Sequence, residues 1–199
     1  MAADPEPVLL VPGFSGQDRV YWNVFRRRLE RDGFSSFTVT FPGLGLQDLK
    51  ASGDRVSERI DEVLEETGSD RVHLVGHSLG GLVIRELVQN RGETERLASC
   101  ATLGTPHQGT LASWAGIVRP ACRQMVPGCS YLRSLNEQPL DVPFVNVYAA
   151  PDGLVVPYGN ARLPSAENHR VRLGGHWGLL LRGAAYRPVR EALGANGTS

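Results

Sequence analysis

Apolar residues fall into two alternating rhythms along this chain. Short apolar runs at Val8–Val11, Phe37–Phe41, Val72–Val75, Leu97–Leu103, Phe144–Tyr148 and Val171–Leu173 read as strands. Between them, apolar residues recur at helical spacing: Trp22, Phe25 and Leu29, then Val56, Ile60, Val63 and Leu64 with Gly68 as the stop. A third helix follows Leu79 to about Gln89, and a last one runs from about Leu179 to Leu193. Strands alternating with helices predict an α/β fold, a mostly parallel sheet of about six strands with helices on both faces. Residues 1–199 are expected to form a single domain, with only Asn196–Ser199 frayed.

The rhythm breaks once, over Thr105–Pro143. Leu111, Trp114, Ile117, Val118, Met125, Val126, Tyr131 and Leu132 lie there with no strand to carry them. A stretch of this length without a strand points to short helices or a functional loop. Two readings stay open: an insertion that walls a substrate pocket, or a helical hairpin that completes the core.

The run at Val72–Val75 leads directly into Gly76-His77-Ser78-Leu79-Gly80. This is a G-x-S-x-G pattern between a strand and a helix, a turn that lifts a serine hydroxyl clear of the sheet. In most contexts Gly and Ser only make a turn; here the flanking strand and helix give the serine its chemical meaning. A serine hydroxyl becomes a nucleophile once a histidine takes its proton and a carboxylate holds that histidine. In chain order the acid and then the histidine should follow the serine.

For the base, His176 sits in Gly174-Gly175-His176-Trp177-Gly178, read as a loop after the last strand, whereas His169 immediately precedes or begins that strand. For the acid, Asp152 lies just past the Phe144–Tyr148 strand in a Pro-Asp-Gly turn. Asp141 precedes the same strand, at the wrong end of the sheet, and Glu167 reads as part of a polar loop. Ser78, Asp152 and His176 are therefore the candidate triad. Backbone N–H groups of Leu79 and Phe14, the latter in the Pro12–Gly16 loop, are the candidate oxyanion donors. Ser15, His107, Trp114, Val155 and Trp177 are candidate pocket residues. His73 reads as a core residue and His77 as packing or a supporting hydrogen bond.

Composition narrows the function classes. The 199 residues include 41% hydrophobic and 21% charged residues with a formal net charge of zero, so long-range attraction to nucleic acid or an anionic membrane is not favoured. No apolar run has the length of a membrane span, which argues against integral membrane association. The start, Met1-Ala-Ala-Asp-Pro, lacks the features of a signal peptide, so a cytoplasmic protein is expected. Cys100, Cys122 and Cys129 make no disulfide framework, and only Cys122 and Cys129 are close enough in sequence to bridge a loop. Arg26, Arg27, Arg28 and Arg31 form the densest basic group, read as the wet face of a helix or as a docking patch for an acidic carrier protein.

Taken together, the Pro12-Gly13-Phe14 loop, Gly76–Gly80, Leu103-Gly-Thr-Pro-His107-Gln-Gly-Thr110, Pro151-Asp152-Gly-Leu-Val-Val-Pro157 and Gly174-Gly-His176-Trp-Gly-Leu179 resemble the α/β-hydrolase superfamily. Within it the chain is similar to small bacterial lipases and esterases, actinobacterial ones in particular. The resemblance implies a compact doubly wound sheet and hydrolysis of carboxylic esters through an acyl-enzyme, with no cofactor; the expected substrate is a small-molecule ester, or a thioester in the thioesterase reading. Such lipases usually carry His-Gly where this chain has Pro12-Gly13, and they are usually secreted. The first departure bears on the shape of the oxyanion loop, and the second, with no signal peptide expected here, shifts weight toward an esterase, or a thioesterase or acyltransferase in a biosynthetic pathway; a non-catalytic receptor on the same fold is the remaining reading.

Overall fold

The computed structural model of the protein describes residues 5–14, 18–42 and 44–194. Ser15 and the segment Asn196–Ser199 lie outside the described residues. Six strands, β1 (Val8–Val11), β2 (Ser36–Thr38), β3 (Val72–His77), β4 (Leu97–Leu103), β5 (Phe144–Ala150) and β6 (Glu167–Arg172), form one sheet. Their order is β2-β1-β3-β4-β5-β6, and every neighbouring pair is parallel.

Alternation along the strands divides the interior into two layers. Val8 and Leu10 face a cluster that includes Trp22, Phe25 and Leu29 of α1 (Asp18–Arg31), Leu179 and Leu180 of α6 (Gly175–Leu181), and Val189 of α7 (Gly183–Gly194). Leu9 and Val11 face the other cluster, with Val56 and Ile60 of α2 (Leu49–Thr67) and Leu82 and Val83 of α3 (Leu79–Arg85). The central strands β1, β3 and β4 are buried along their whole length, as a parallel strand covered on both faces must be. Gly68 closes α2 in the left-handed conformation (φ 68°), its N–H donating to Leu64 O, which is the stop expected from the sequence.

Three elements depart from expectation. Strand β2 ends at Thr38 rather than Phe41; Val39 N still donates to Leu10 O at 3.2 Å before the chain leaves the sheet. Strand β6 begins at Glu167 rather than Val171, so Glu167 belongs to a strand and not to a loop, and His169 lies inside that strand. As an edge strand it keeps polar residues in water, which erases the apolar signature. The C-terminal helix is two helices, α6 and α7, and His176 stands in the first turn of α6 rather than in a free loop.

The segment between β4 and β5 folds as a 3₁₀ turn (Leu111–Gly116), α4 (Pro120–Gln124) and α5 (Ser130–Glu137). It completes the core, one of the two readings left open by its sequence. Ala121, Cys122, Met125, Leu132 and Leu135 close one end of the α2–α3 layer, while Leu111, Trp114 and Val118 stay exposed. All three cysteines are free. Among the described residues no helix is long and apolar enough to cross a membrane.

Candidate active site

Ser78 joins β3 to α3 with φ 55° and ψ −126°, a conformation that a side-chain-bearing residue adopts only at a cost of about 1–3 kcal/mol. Sheet and helix hold it there: Ser78 N donates to Leu103 O at 2.9 Å, and Gly81 N donates to Ser78 O at 3.1 Å. The flanking glycines are a steric need. A Cβ on Gly76 would stand 2.8 Å from Gly81 Cα, and one on Gly80 would stand 2.7 Å from Pro12 O. The elbow is thus wedged against both its own helix and the loop after β1 that carries Phe14.

Asp152 follows β5 and is buried. Its Oδ1 accepts from Leu154 N (3.0 Å) and Val155 N (2.8 Å), and lies 2.8 Å from His176 Nδ1. The backbones are tied as well, His176 N donating to Asp152 O at 3.0 Å. Burial alone would raise the Asp152 pKa, but the hydrogen bond and charge of His176, with the Val155 and Leu154 N–H groups, outweigh it and hold the carboxyl below its ordinary value. An ionised carboxylate only accepts, so His176 Nδ1–H donates and Nε2 is the basic nitrogen. Gly104, directly after β4, lies under this pair: a Cβ there would be 3.3 Å from His176 Nδ1 and 3.4 Å from Asp152 Oδ2. No role is expected of that glycine from sequence; its one local mark is its place at the end of the strand beside the elbow.

All of these groups stand at the carboxyl ends of parallel strands: Ser78 after β3, Gly104 after β4, Asp152 after β5, and the Phe14 turn after β1. The rejected alternatives stand elsewhere. Exposed Asp141 lies before β5, and His169 Nε2 pairs with Glu167 at 2.8 Å on the edge strand. His77, inside the elbow, donates from Nε2 to His176 O at 3.2 Å and packs its ring 4.8 Å from that of His176, the supporting role expected of it. His73 is a core residue, bonded to Ser99 Oγ at 2.8 Å, with burial pushing its pKa down to about 4.

Two expected pocket residues are corrected. His107 is fully buried, its Nε2–H shared between Thr102 Oγ1 (3.1 Å) and Asn146 Oδ1 (3.2 Å). Burial and then the Arg85 charge hold it neutral, so it ties the turn after β4 to β5 instead of facing substrate. Val155 is buried with Tyr148 and Ala161 beneath the acid loop. Trp114 is exposed, and Trp177 stacks on Tyr21 at 5.6 Å and lies perpendicular to the His176 ring at 5.5 Å. A group missed in the sequence is Arg85, wholly buried behind the elbow. It donates to Gln89 Oε1 (2.6 Å), His107 O (3.3 Å) and Asn136 Oδ1 (2.9 Å), and burial lowers its pKa to about 10. It joins α3 to the insertion.

A sequence model of the alpha/beta hydrolase fold matches residues 6–121, more than half of the chain. The chain belongs to the α/β-hydrolase family. Among α/β-hydrolase relatives, triacylglycerol lipases of Pseudarthrobacter phenanthrenivorans and Burkholderia plantarii are each 32% identical over 115 residues, 55% of this chain. Those stretches are 35% and 32% of the two lipases, so the chain spans about a third of their length. The relatives come from several bacterial genera and do not single out the actinobacterial lipases. In fold, a Bacillus licheniformis lipase in its mature form superposes with a TM-score of 0.76 at 19% identity, covering 96% of this chain and 92% of that one. Aspergillus fumigatus lipase B gives 0.83 at 19% identity, covering 97% of this chain and 53% of its own. These likenesses show the α/β-hydrolase fold.

Proposed function

We propose that this protein is a serine hydrolase that cleaves carboxylic esters of hydrophobic acyl groups. The observation that carries the reading is the His176 Nδ1–Asp152 Oδ1 hydrogen bond of 2.8 Å, next to a serine held at positive φ on the same end of the sheet. Ser78 Oγ attacks the ester carbonyl while His176 Nε2 takes its proton, and Asp152 stabilises the imidazolium that forms. The N–H groups of Leu79 and Phe14 receive the negative charge on the carbonyl oxygen. Collapse breaks the bond to the alcohol, which leaves with the proton from His176; water then releases the acid by the same steps in reverse.

The hydrophobic acyl preference rests on exposed apolar side chains on the loops at this end: Phe14 after β1, Leu111 and Trp114 after β4, and Leu154 and Val156 after β5. The last two loops are laced together, Leu111 N donating to Val156 O at 2.9 Å and Thr110 Oγ1 to Leu154 O at 2.7 Å. Trp114 and Trp177 are the pocket residues retained in this reading. The printed names of the lipase relatives agree with it. A thioesterase served by an acidic carrier has less support, because Arg26 lies against Glu30, Arg28 donates to Leu181 O, and Arg31 lies 3.7 Å from Asp32.

Rates on p-nitrophenyl esters from acetate to dodecanoate, set beside acyl thioesters of matched length, test the reading. Ester turnover that rises with chain length and vanishes in Ser78→Ala is expected. Faster turnover of the thioesters would transfer the site to thioester chemistry, and no turnover of either by folded protein would favour a receptor.

A further inference from the structure

At the outer edge of the sheet, Arg170 and Arg172 are two residues apart on β6, so their side chains stand on the same face of the strand. In register they lie beside Tyr148 and Ala150 of β5. A shallow, open cleft of about 390 Å³ lies there, lined by Ala150, Pro151, Tyr158, Arg170, Arg172 and Leu173, all but Ala150 exposed. Neither guanidinium has an ion-pair partner among the described residues, and the carboxylate of Glu167 on the same strand is taken by His169. By contrast, Arg55, Arg59, Arg71, Arg91 and Arg96 each pair with a carboxylate.

The cleft is also apolar on its other wall. Leu173 is 77% exposed and holds a positive φ of 54°, so a bulky apolar side chain is kept in water in a strained backbone. Pro151, Ala150 and the ring of Tyr158 continue that apolar surface. Arginines on an edge strand also keep other strands from pairing with it, but that purpose needs only charge. It calls for neither a cleft nor an exposed leucine beside it. Two neighbouring cations facing one apolar wall match a ligand with an anionic head and an alkyl body.

We propose that this cleft binds an amphipathic anion, an alkyl carboxylate or alkyl phosphate, with its head on Arg170 and Arg172 and its chain along Pro151, Tyr158 and Leu173. Three strand spacings, roughly 14 Å, separate β6 from β3, the strand that leads into Ser78, and although Pro151 adjoins Asp152 the proposal uses none of the candidate catalytic side chains.

Titration calorimetry on the full chain, with ligands below their micelle concentrations, tests it. The probes are dodecanoate, dodecyl phosphate, inorganic phosphate and dodecanol, and the proteins are wild type and the double variant Arg170→Gln/Arg172→Gln, its fold checked by circular dichroism. The expected result is binding of at least one alkyl anion by wild type, weakened tenfold or more in the double variant and by added salt. Dodecanol should bind at least tenfold more weakly. The tighter of the two alkyl anions identifies the head group. Equal binding by wild type and double variant, or no binding of any anion, would overturn the site. Inorganic phosphate binding as tightly as dodecyl phosphate would overturn the amphipathic assignment.

Discussion

Gly80 offers a severe test of how the candidate site is held. A Cβ at this position would lie 2.7 Å from Pro12 O and 2.8 Å from Val11 C, with the Val11 carbonyl oxygen closer still. A carbon–oxygen contact relaxes only at roughly 3.3 Å, so Gly80→Ala must push helix and loop apart by roughly 0.5–1 Å. No flexible side chain can absorb this, because both neighbours are backbone and Val11 is locked in β1 opposite Gly76 of β3. Overpacking of this kind costs about 3 kcal/mol, the upper end of the usual range. For a chain of this length that lowers Tm by about 6–12 °C. The same displacement moves the Phe14 N–H relative to Ser78, and a misplacement near 1 Å can cost about 10²-fold in kcat/KM. Gly159→Ala is the matched control: nothing lies within 4 Å of its Cβ position, so Tm should hold or rise slightly. Thermal unfolding by circular dichroism and ester hydrolysis on both variants make the comparison. A Gly80→Ala protein with wild-type Tm and wild-type activity would refute the steric account.

Three further outcomes are expected. Asp152→Asn should lower kcat by about 10³–10⁴-fold, since the charge that supports imidazolium is lost. Its Tm should stay within a few degrees of wild type, because an amide oxygen can still accept from Leu154 and Val155. The folded pKa of Asp152 lies below its unfolded value, so the carboxylate adds stability above about pH 4 and that contribution fades as pH falls through the folded value. Urea midpoints measured from pH 7 to pH 3 should therefore fall further in wild type than in Asp152→Asn; parallel curves would contradict the shift. Arg85→Ala should cost at least about 3 kcal/mol by urea unfolding, through a cavity and three acceptors left without their donor. Unchanged stability would mean that Arg85 does not tie α3 to the insertion.

What was legible in the sequence follows from where the chemistry is local. Strands β1, β3, β4 and β5 are buried on both faces and read as apolar runs, and the elbow is a contiguous motif between two of the clearest elements. Asp152 and His176 could be placed because each follows a strand at the same end of the sheet. The misses share a cause as well. Glu167–Arg172 is an edge strand whose polar residues face water, so its alternation gives no apolar signal. The helical turn that begins at Gly175 was hidden by a Gly-Gly pair that reads as a loop. Neither the burial of His107 nor the network around Arg85 has a local signature, since their partners Asn146 and Asn136 lie far along the chain.

If Ser78 is the nucleophile and the His176–Asp152 pair activates it, a serine-directed electrophile must label Ser78 and need His176 to do so. Intact-mass spectrometry after treatment with a fluorophosphonate measures this directly. A single covalent adduct is expected on wild type, none on Ser78→Ala, and labelling of His176→Ala slowed by at least about 10²-fold, the loss of the general base. Equal labelling of wild type and Ser78→Ala would contradict it.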